Sequence, residues 1–311
     1  MALLIDIGQS GWMTAEELAQ DLRPMIPDAD IRTSRDQGPL SDVTMLAAST
    51  LDPALPALLP NLELVQKLGA GVETIVQHPA LGPEIRVARL KPMQPAQEIA
   101  EYCLAYVLRE QRNMLFHAEE QARSRWSPKG PREAHKTVVG VLGLGHIGGL
   151  TAKLMQMMGY QVHGWARSPK QIDGVTCHHG ADALTPMLGL CDYVCAILPS
   201  TAETRGLIGE ATLAAMKPGS TLINAGRGDL VDEAALCAAL DAGPIGHAVL
   251  DVVSEEPLPA SSPLWQHPGV TITPHVSGWH LGDAMKDVAQ NYQRLQRGEA
   301  LLHEVDRSKG Y

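Results

Sequence analysis

Three ionisable side chains sit in distinctive settings late in the chain. They are Arg227 in Asn224-Ala-Gly-Arg227-Gly228, Glu256 in Asp251-Val-Val-Ser-Glu-Glu256-Pro257, and His275 in Thr273-Pro-His275-Val-Ser-Gly278. Each falls at or soon after the end of a strand-like apolar run, and in open α/β sheets ligands bind beyond the carboxyl ends of strands. Reducing a 2-keto acid needs a hydride donor, a proton donor for the developing alkoxide, and a cation that holds the carboxylate and polarises the carbonyl. His275 can supply the proton, and a nearby Glu256 would favour the imidazolium and orient the ring. Arg227 can grip carboxylate and carbonyl oxygens with its planar fork. Taken singly, such residues are more often surface ion pairs or caps. As a set behind a nucleotide loop they become catalytic candidates.

That loop is Gly143-Leu-Gly145-His146-Ile147-Gly148, which follows an apolar strand and opens a helical pattern. Its glycines permit a tight turn, close backbone approach to a pyrophosphate, and packing of helix on strand, with the phosphate at the helix N-terminus. With 29 glycines in 311 residues such a triple arises cheaply, so the strand-loop-helix context carries the reading. An acidic residue about 20 positions on normally binds the adenosine ribose. No Asp or Glu occurs between Ile147 and Ile172; the strand ends instead in Trp165-Ala-Arg167-Ser168-Pro-Lys170. Arg167 can pair with a 2′-phosphate, Ser168 can donate a hydroxyl, and Lys170 adds charge, so NADPH is expected in preference to NADH, which stays possible. A solvated basic loop is the bland alternative.

Earlier in the chain, Lys67-Leu-Gly69-Ala70-Gly71-Val72 is another strand running into a glycine-rich turn. Its backbone N–H groups can form a nest for a carboxylate, or the segment is a plain turn. The functional reading places the acid between two lobes, with closure on binding.

The elements that must position these residues alternate between strand-like and helical patterns, which predicts an α/β fold with parallel sheets covered by helices. Strands are expected near Leu3–Ile7 and Leu62–Leu68, with a Pro-rich connection, and a helix from about Gln97 to His117. The polar stretch from Arg123 to Lys136 has no helical period and reads as an exposed arm or a domain entry. Beyond it come strand Val138–Leu142, helix Ile147–Met158, and strands Gln161–Trp165, Tyr193–Leu198, Thr221–Asn224, His247–Asp251 and Val270–Thr273, then a helix over Gly282–Arg297.

Composition narrows the function. The length suits about two domains. Twenty-five Lys and Arg against 35 Asp and Glu leave a net charge of −10, and aromatics are 4%, so a nucleic-acid partner is not expected. No apolar run reaches membrane-helix length, and the five cysteines lack metal or disulfide spacing, so no metal is expected and a cytoplasmic location is.

The ordered motifs GAGVE (69–73), EIAEYCLAYVL (98–108), GVLGLGHIG (140–148), LPSTAETRGLI (198–208), NAGRGDLVDEAAL (224–236), LDVVSEEPLP (250–259) and TPHVSG (273–278) resemble the D-isomer-specific 2-hydroxyacid dehydrogenases. Within that family, residues 262–276 and the ending VDRSKGY resemble the bacterial glyoxylate/hydroxypyruvate reductase A branch, whose members favour NADPH. The resemblance implies two Rossmann-like lobes with doubly wound parallel sheets. A dinucleotide-binding domain, residues 99–281, would be inserted into a discontinuous flavodoxin-like substrate domain, residues 1–98 plus 282–311. It also implies a homodimer with the 123–136 arm reaching across. Arg227, Glu256 and His275 match the substrate arginine, the supporting carboxylate and the acid/base histidine, and Ala70, Gly71 and Val72 match the carboxylate loop. Leu198, Pro199, Ala225, Gly226 and Asp251 join the cofactor-binding candidates, Asp251 on the nicotinamide side. Two segments depart from the branch: Met45–Thr50 lacks its usual tryptophan, and Arg89–Gln94 is basic where the branch is acidic. Both would border the substrate, as Trp279 and Met93 would if they are not simply packed. The expected activity is NADPH-dependent reduction of a small 2-keto acid such as glyoxylate or hydroxypyruvate. A larger keto acid and a non-catalytic nucleotide-sensing protein are the alternatives.

Overall fold

The computed structural model describes residues 1–8, 13–69, 71–76 and 78–307. In chain order its strands and α-helices begin with β1 (Ala2–Asp6), α1 (Ala15–Leu22), β2 (Asp30–Arg32), β3 (Val43–Ala48), α2 (Leu55–Leu58), β4 (Leu64–Lys67), α3 (Glu73–Val76) and β5 (Arg86–Ala88). They continue with α4 (Met93–Gln111), α5 (Met114–Ala122), β6 (Val138–Leu142), α6 (His146–Met157), β7 (Gln161–Ala166), β8 (Val175–His179), α7 (Leu184–Leu188) and β9 (Tyr193–Ala196). The remainder are α8 (Glu210–Ala214), β10 (Ser220–Asn224), α9 (Glu233–Ala242), β11 (Ile245–Leu250), β12 (Val270–Ile272) and α10 (Met285–Gln296).

The chain divides into two units, residues 1–94 with 280–311, and residues 95–279. Sequence reading put the crossings at 98/99 and 281/282; they fall four and two residues earlier. The first lies in the opening turn of α4, where Pro95 is tolerated because those N–H groups have no helical partner.

Unit 1 is a five-stranded parallel sheet in the order β2-β1-β3-β4-β5, the flavodoxin-like arrangement. Alternate residues face two cores, so Leu3, Ile5, Met45 and Ala47 pack with α1 and α10, while Leu4, Leu46, Ala48 and Val65 pack with Leu55, Ile75 and Val76. The last helix returns to this sheet because its buried stripe, Met285, Val288, Ala289, Tyr292 and Leu295, fills the face beside α1. Buried Asn291 locks it there through Gln66 on β4, at 2.8 Å.

Unit 2 is a seven-stranded parallel sheet, β12-β11-β10-β9-β6-β7-β8, whose order reverses between β6 and β9. One face packs Leu142, Val194, Leu222 and Leu250 against α7, α8 and α9; the other packs Val139, Val141, Cys195 and Ile223 against α4 and α6. Strands covered on both faces read as continuous apolar runs.

Three sequence expectations need correction. The helix expected over 97–117 starts at Met93 and is broken in two, because Asn113 adopts a left-handed φ of 55° and its amide donates to Gly130 O. Strands β2, β3, β5 and β8 and helices α1, α2, α3, α7, α8 and α9 escaped notice in the sequence. The strand expected to 198 ends at Ala196, and the final helix occupies 285–296. The 123–136 stretch is mostly exposed, carries one 3-10 turn at Ala134–Lys136, and holds Trp126 at 99% exposure. Among the described residues no helix is long and apolar enough to cross a membrane.

Candidate active site

In unit 2, the carboxyl ends of β6 and β9 flank the point where strand order reverses, and the glycine loop leaves β6 there. Gly143 has φ 98°, donates its N–H to Trp165 O at 2.8 Å, and would collide with Ile197 O if it carried a Cβ. A Cβ on Gly148 would overlap the Gly143 carbonyl oxygen, which fixes glycine where α6 meets β6. Gly145 differs: a Cβ there meets nothing within 4 Å, and as the N-cap of α6 it offers no side-chain oxygen to the helix amides. An open spot in front of uncapped N–H groups fits a pyrophosphate. His146 and Ile147 form the first turn of α6, and His146 is exposed. Arg167, Ser168 and Lys170 are exposed where the chain leaves β7, one strand away. Leu198 and Pro199 follow β9; Ala225 and Gly226 follow β10, and a Cβ on Gly226 would lie 2.9 Å from Leu198 O.

The next turn presents Arg227. Its backbone is extended, with φ −142° and ψ 147°, Asn224 caps it by donating to its carbonyl at 2.8 Å, and Nη1 donates to Gly226 O at 2.6 Å. Gly228 follows because a side chain would run into Val253 O. Past β11, Glu256 turns back so that Oε1 accepts from Val253 N at 3.1 Å and Oε2 lies 2.7 Å from His275 Nδ1. Burial pushes the Glu256 carboxyl up, but the His275 bond and charge, the Val253 N–H and the Arg227 charge outweigh it and hold the group below its ordinary range. All three candidates therefore gather at one end of the seven-stranded sheet.

His275 stands at φ 55°, unusual for a side-chain-bearing residue. Asp251 explains how the turn is held. It is 2% exposed, its carbonyl accepts His275 N at 2.8 Å, Oδ1 accepts the Thr273 hydroxyl at 2.6 Å and Val276 N at 2.9 Å, and Oδ2 accepts Ser277 N at 2.9 Å. Both oxygens of this cofactor candidate accept from the chain's own donors, which tie Asp251 to the turn that carries His275. Since the Thr273 hydroxyl proton goes to a carboxylate, Tyr102 on α4 is the donor in its 2.7 Å bond to Thr273 Oγ1. Burial pushes the Tyr102 phenol upward, which keeps it a neutral donor. Sequence reading missed Tyr102 and Thr273, although both lie inside motifs it singled out. Trp279, half exposed, donates its backbone N–H to Glu98 Oε2 at 2.7 Å.

In unit 1, Gly71 and Val72 join β4 to α3, with Val72 buried; Ala70 lies outside the described residues. Met93 is exposed at the start of α4. Among the described residues no three His, Cys, Asp or Glu side chains are grouped as a metal would require.

Comparisons with known proteins agree with the two-sheet α/β fold. Residues 104–277 match the model of the D-isomer specific 2-hydroxyacid dehydrogenase NAD binding domain. Over 304 residues, covering 96% of each protein, the chain is 35% identical to glyoxylate/hydroxypyruvate reductase A of Photorhabdus laumondii. A D-isomer specific 2-hydroxyacid dehydrogenase from Xanthobacter autotrophicus Py2, solved in complex with NADPH and MES, is similar with a TM-score of 0.94 and 37% identity, covering 100% of this chain and 99% of that one. The NADPH-dependent glyoxylate/hydroxypyruvate reductase of Sinorhizobium meliloti, solved with NADP and sulfate, gives a TM-score of 0.91 and 28% identity with the same coverage.

Proposed function

Because the chain belongs to the D-isomer specific 2-hydroxyacid dehydrogenases, a family of NAD(P)-dependent oxidoreductases, we propose that it reduces a small 2-keto acid of the glyoxylate and hydroxypyruvate class with NADPH. The observation that carries this reading is the 2.7 Å bond between His275 Nδ1 and Glu256 Oε2, with the Arg227 charge acting on the same carboxylate. A carboxylate only accepts, so Nδ1 carries a hydrogen and Nε2 is the atom left to meet substrate. When bound, NADPH supplies the hydride to the carbonyl carbon. The α6 N-terminus with Gly143, Gly145 and Gly148 suits its pyrophosphate, and Arg167, Ser168 and Lys170 suit its 2′-phosphate.

The chain's own residues do the rest. Arg227 holds the substrate oxygens and draws electron density from the carbonyl. As the oxygen gains negative charge, the proton on His275 Nε2 passes to it, leaving a neutral imidazole whose Nδ1–H still faces Glu256. Glu256 acts through His275 by fixing its orientation and favouring its charged form. We further propose a homodimer that uses the arm bearing Trp126, and a cytoplasmic location in keeping with five free thiols.

The test is a steady-state screen of glyoxylate and hydroxypyruvate with NADPH and with NADH, run beside His275→Ala. Turnover with NADPH is expected, and the variant should lose about 10²–10⁴ in kcat while still binding NADPH. A protein that binds NADPH yet reduces no keto acid would overturn the enzymatic reading.

A further inference from the structure

Within unit 2, one face of α4 has no part in the chemistry above. Glu98, Tyr102, Tyr106 and Arg109 follow one another at intervals of four, four and three residues, so they line one side of the helix. The Tyr102 and Tyr106 rings meet at a tilt with centroids 4.7 Å apart, and the Arg109 guanidinium carbon lies 4.6 Å from the Tyr106 centroid. This row runs along β12 and the segment beyond it in the opposite sense. Arg109 Nη1 donates to Thr271 Oγ1 at 3.1 Å, Tyr102 Oη to Thr273 Oγ1 at 2.7 Å, and Trp279 N to Glu98 Oε2 at 2.7 Å. Just before Trp279, Gly278 passes so close to the helix that a Cβ there would lie 3.0 Å from the Ile99 side chain.

His275 falls inside the stretch bracketed by these bonds, two residues after Thr273 and four before Trp279. The sheet gives that stretch little hold. β12 is an edge strand whose register with β11 ends at Ile272, and His275 then takes its φ of 55°, a conformation that persists only where its surroundings fix it. Asp251 grips the turn from one side. The α4 face adds a contact on each flank, and with the phenol donating into Thr273 Oγ1, the threonine's own proton is left for Asp251 Oδ1 at 2.6 Å.

We propose that Glu98, Tyr102 and Thr273 are positioning residues for His275: one face of α4 braces both flanks of the histidine's turn, keeping Nδ1 on Glu256 and Nε2 directed at the reacting oxygen. They act through the histidine rather than on the substrate. The inference rests on the keto-acid reading above and deepens it by naming what holds its proton donor in place.

The experiment measures kcat and KM for glyoxylate and NADPH, NADPH affinity by fluorescence titration, and Tm, in single variants beside the unaltered protein. Tyr102→Phe removes one donor and should lower kcat about 2- to 12-fold, and Thr273→Val, which strands the phenol and takes a donor from Asp251, about 5- to 150-fold. Thr273→Ser keeps the hydroxyl and should retain most of the native rate. Valine matches threonine in shape and serine does not, so a role in packing alone reverses that order. Glu98→Ala should also lower kcat, and Glu98→Gln, whose amide oxygen still accepts from Trp279 N, should restore it. NADPH affinity should stay native throughout. Valine tolerated as well as serine at position 273, native kcat in both Tyr102→Phe and Glu98→Ala, or losses confined to Tm or NADPH binding overturn the brace. If the unaltered protein reduces glyoxylate and His275→Ala does not, yet these variants keep native kcat, only the brace falls; if the unaltered protein turns over no keto acid, it falls together with the reading it rests on.

Discussion

Replacing Asp251 by Asn separates a positioning carboxylate from a cofactor ligand. In the native structure its two oxygens receive the Thr273 hydroxyl, Val276 N and Ser277 N at 2.6, 2.9 and 2.9 Å, and the side chain is 2% exposed. An asparagine oxygen placed like Oδ1 keeps Thr273 and Val276, but its NH₂ then faces the Ser277 N–H, donor against donor. Flipping the amide orphans two donors instead of one, so the first arrangement is the cheaper. One charge-assisted bond lost and one buried N–H left unpaired cost about 1–3 kcal/mol. The loss falls on the turn that holds His275 at φ 55°, a conformation that itself costs about 1–2 kcal/mol for a non-glycine residue. At about 1.4 kcal/mol per tenfold in rate, kcat should drop roughly 5- to 150-fold. Were the same cost spread over unit 2 as a whole, Tm would fall by roughly 2–4 °C per kcal/mol. The assay is steady-state kinetics at 25 °C, with KM measured separately for keto acid and NADPH, alongside calorimetry. A variant that melts lower but keeps kcat refutes the positioning argument, and a rise confined to KM for NADPH assigns Asp251 to the cofactor instead.

Further outcomes follow from the same geometry. The Glu256 carboxyl is held below its ordinary 4.5, so the unfolded chain takes up this proton first as pH falls. The stability contributed by the Glu256–His275 pair is therefore complete above the unfolded value and lost as pH drops through the folded one. Below pH about 4.5, Tm of the native protein should fall more steeply than that of Glu256→Gln; parallel melting curves would contradict the pairing. Arg167→Ala should lower the ratio of kcat/KM for NADPH over NADH by about tenfold or more, the worth of a charge-assisted phosphate contact, and an unchanged ratio removes Arg167 from 2′-phosphate recognition. Gly148→Ala forces a methyl group into the Gly143 carbonyl, so a loss of about 1–3 kcal/mol in stability and weaker NADPH binding are expected by calorimetry and fluorescence titration. Native NADPH affinity in that variant would show that α6 tolerates a shift from β6.

Much of this protein is legible from local patterns. The unit 2 strands are near-continuous apolar runs because both faces of the sheet are covered, and β6, β7, β10 and β11 stand close to where those runs predict them. Short elements left weaker marks. At the sheet edge, β8 reads Val-Thr-Cys-His-His with only two apolar residues in five, and three-residue β2 and β5 are too brief to show a period. The break between α4 and α5 depends on Asn113 entering the left-handed region while its amide reaches a carbonyl 17 residues on, a contact that a helical repeat does not encode.

By itself the sequence determined the residue types the chemistry needs and the glycines that let backbone approach backbone, because both depend on side-chain identity at fixed spacing. Only the tertiary structure decided how they meet: that Glu256 reaches His275 Nδ1 across 19 residues, and that Tyr102 and Thr273 lead to Asp251. It also decided that Asp251 turns both oxygens inward to hold the histidine's turn. Those contacts join segments far apart in the chain, and their partners are set by strand order and burial, which no local pattern contains.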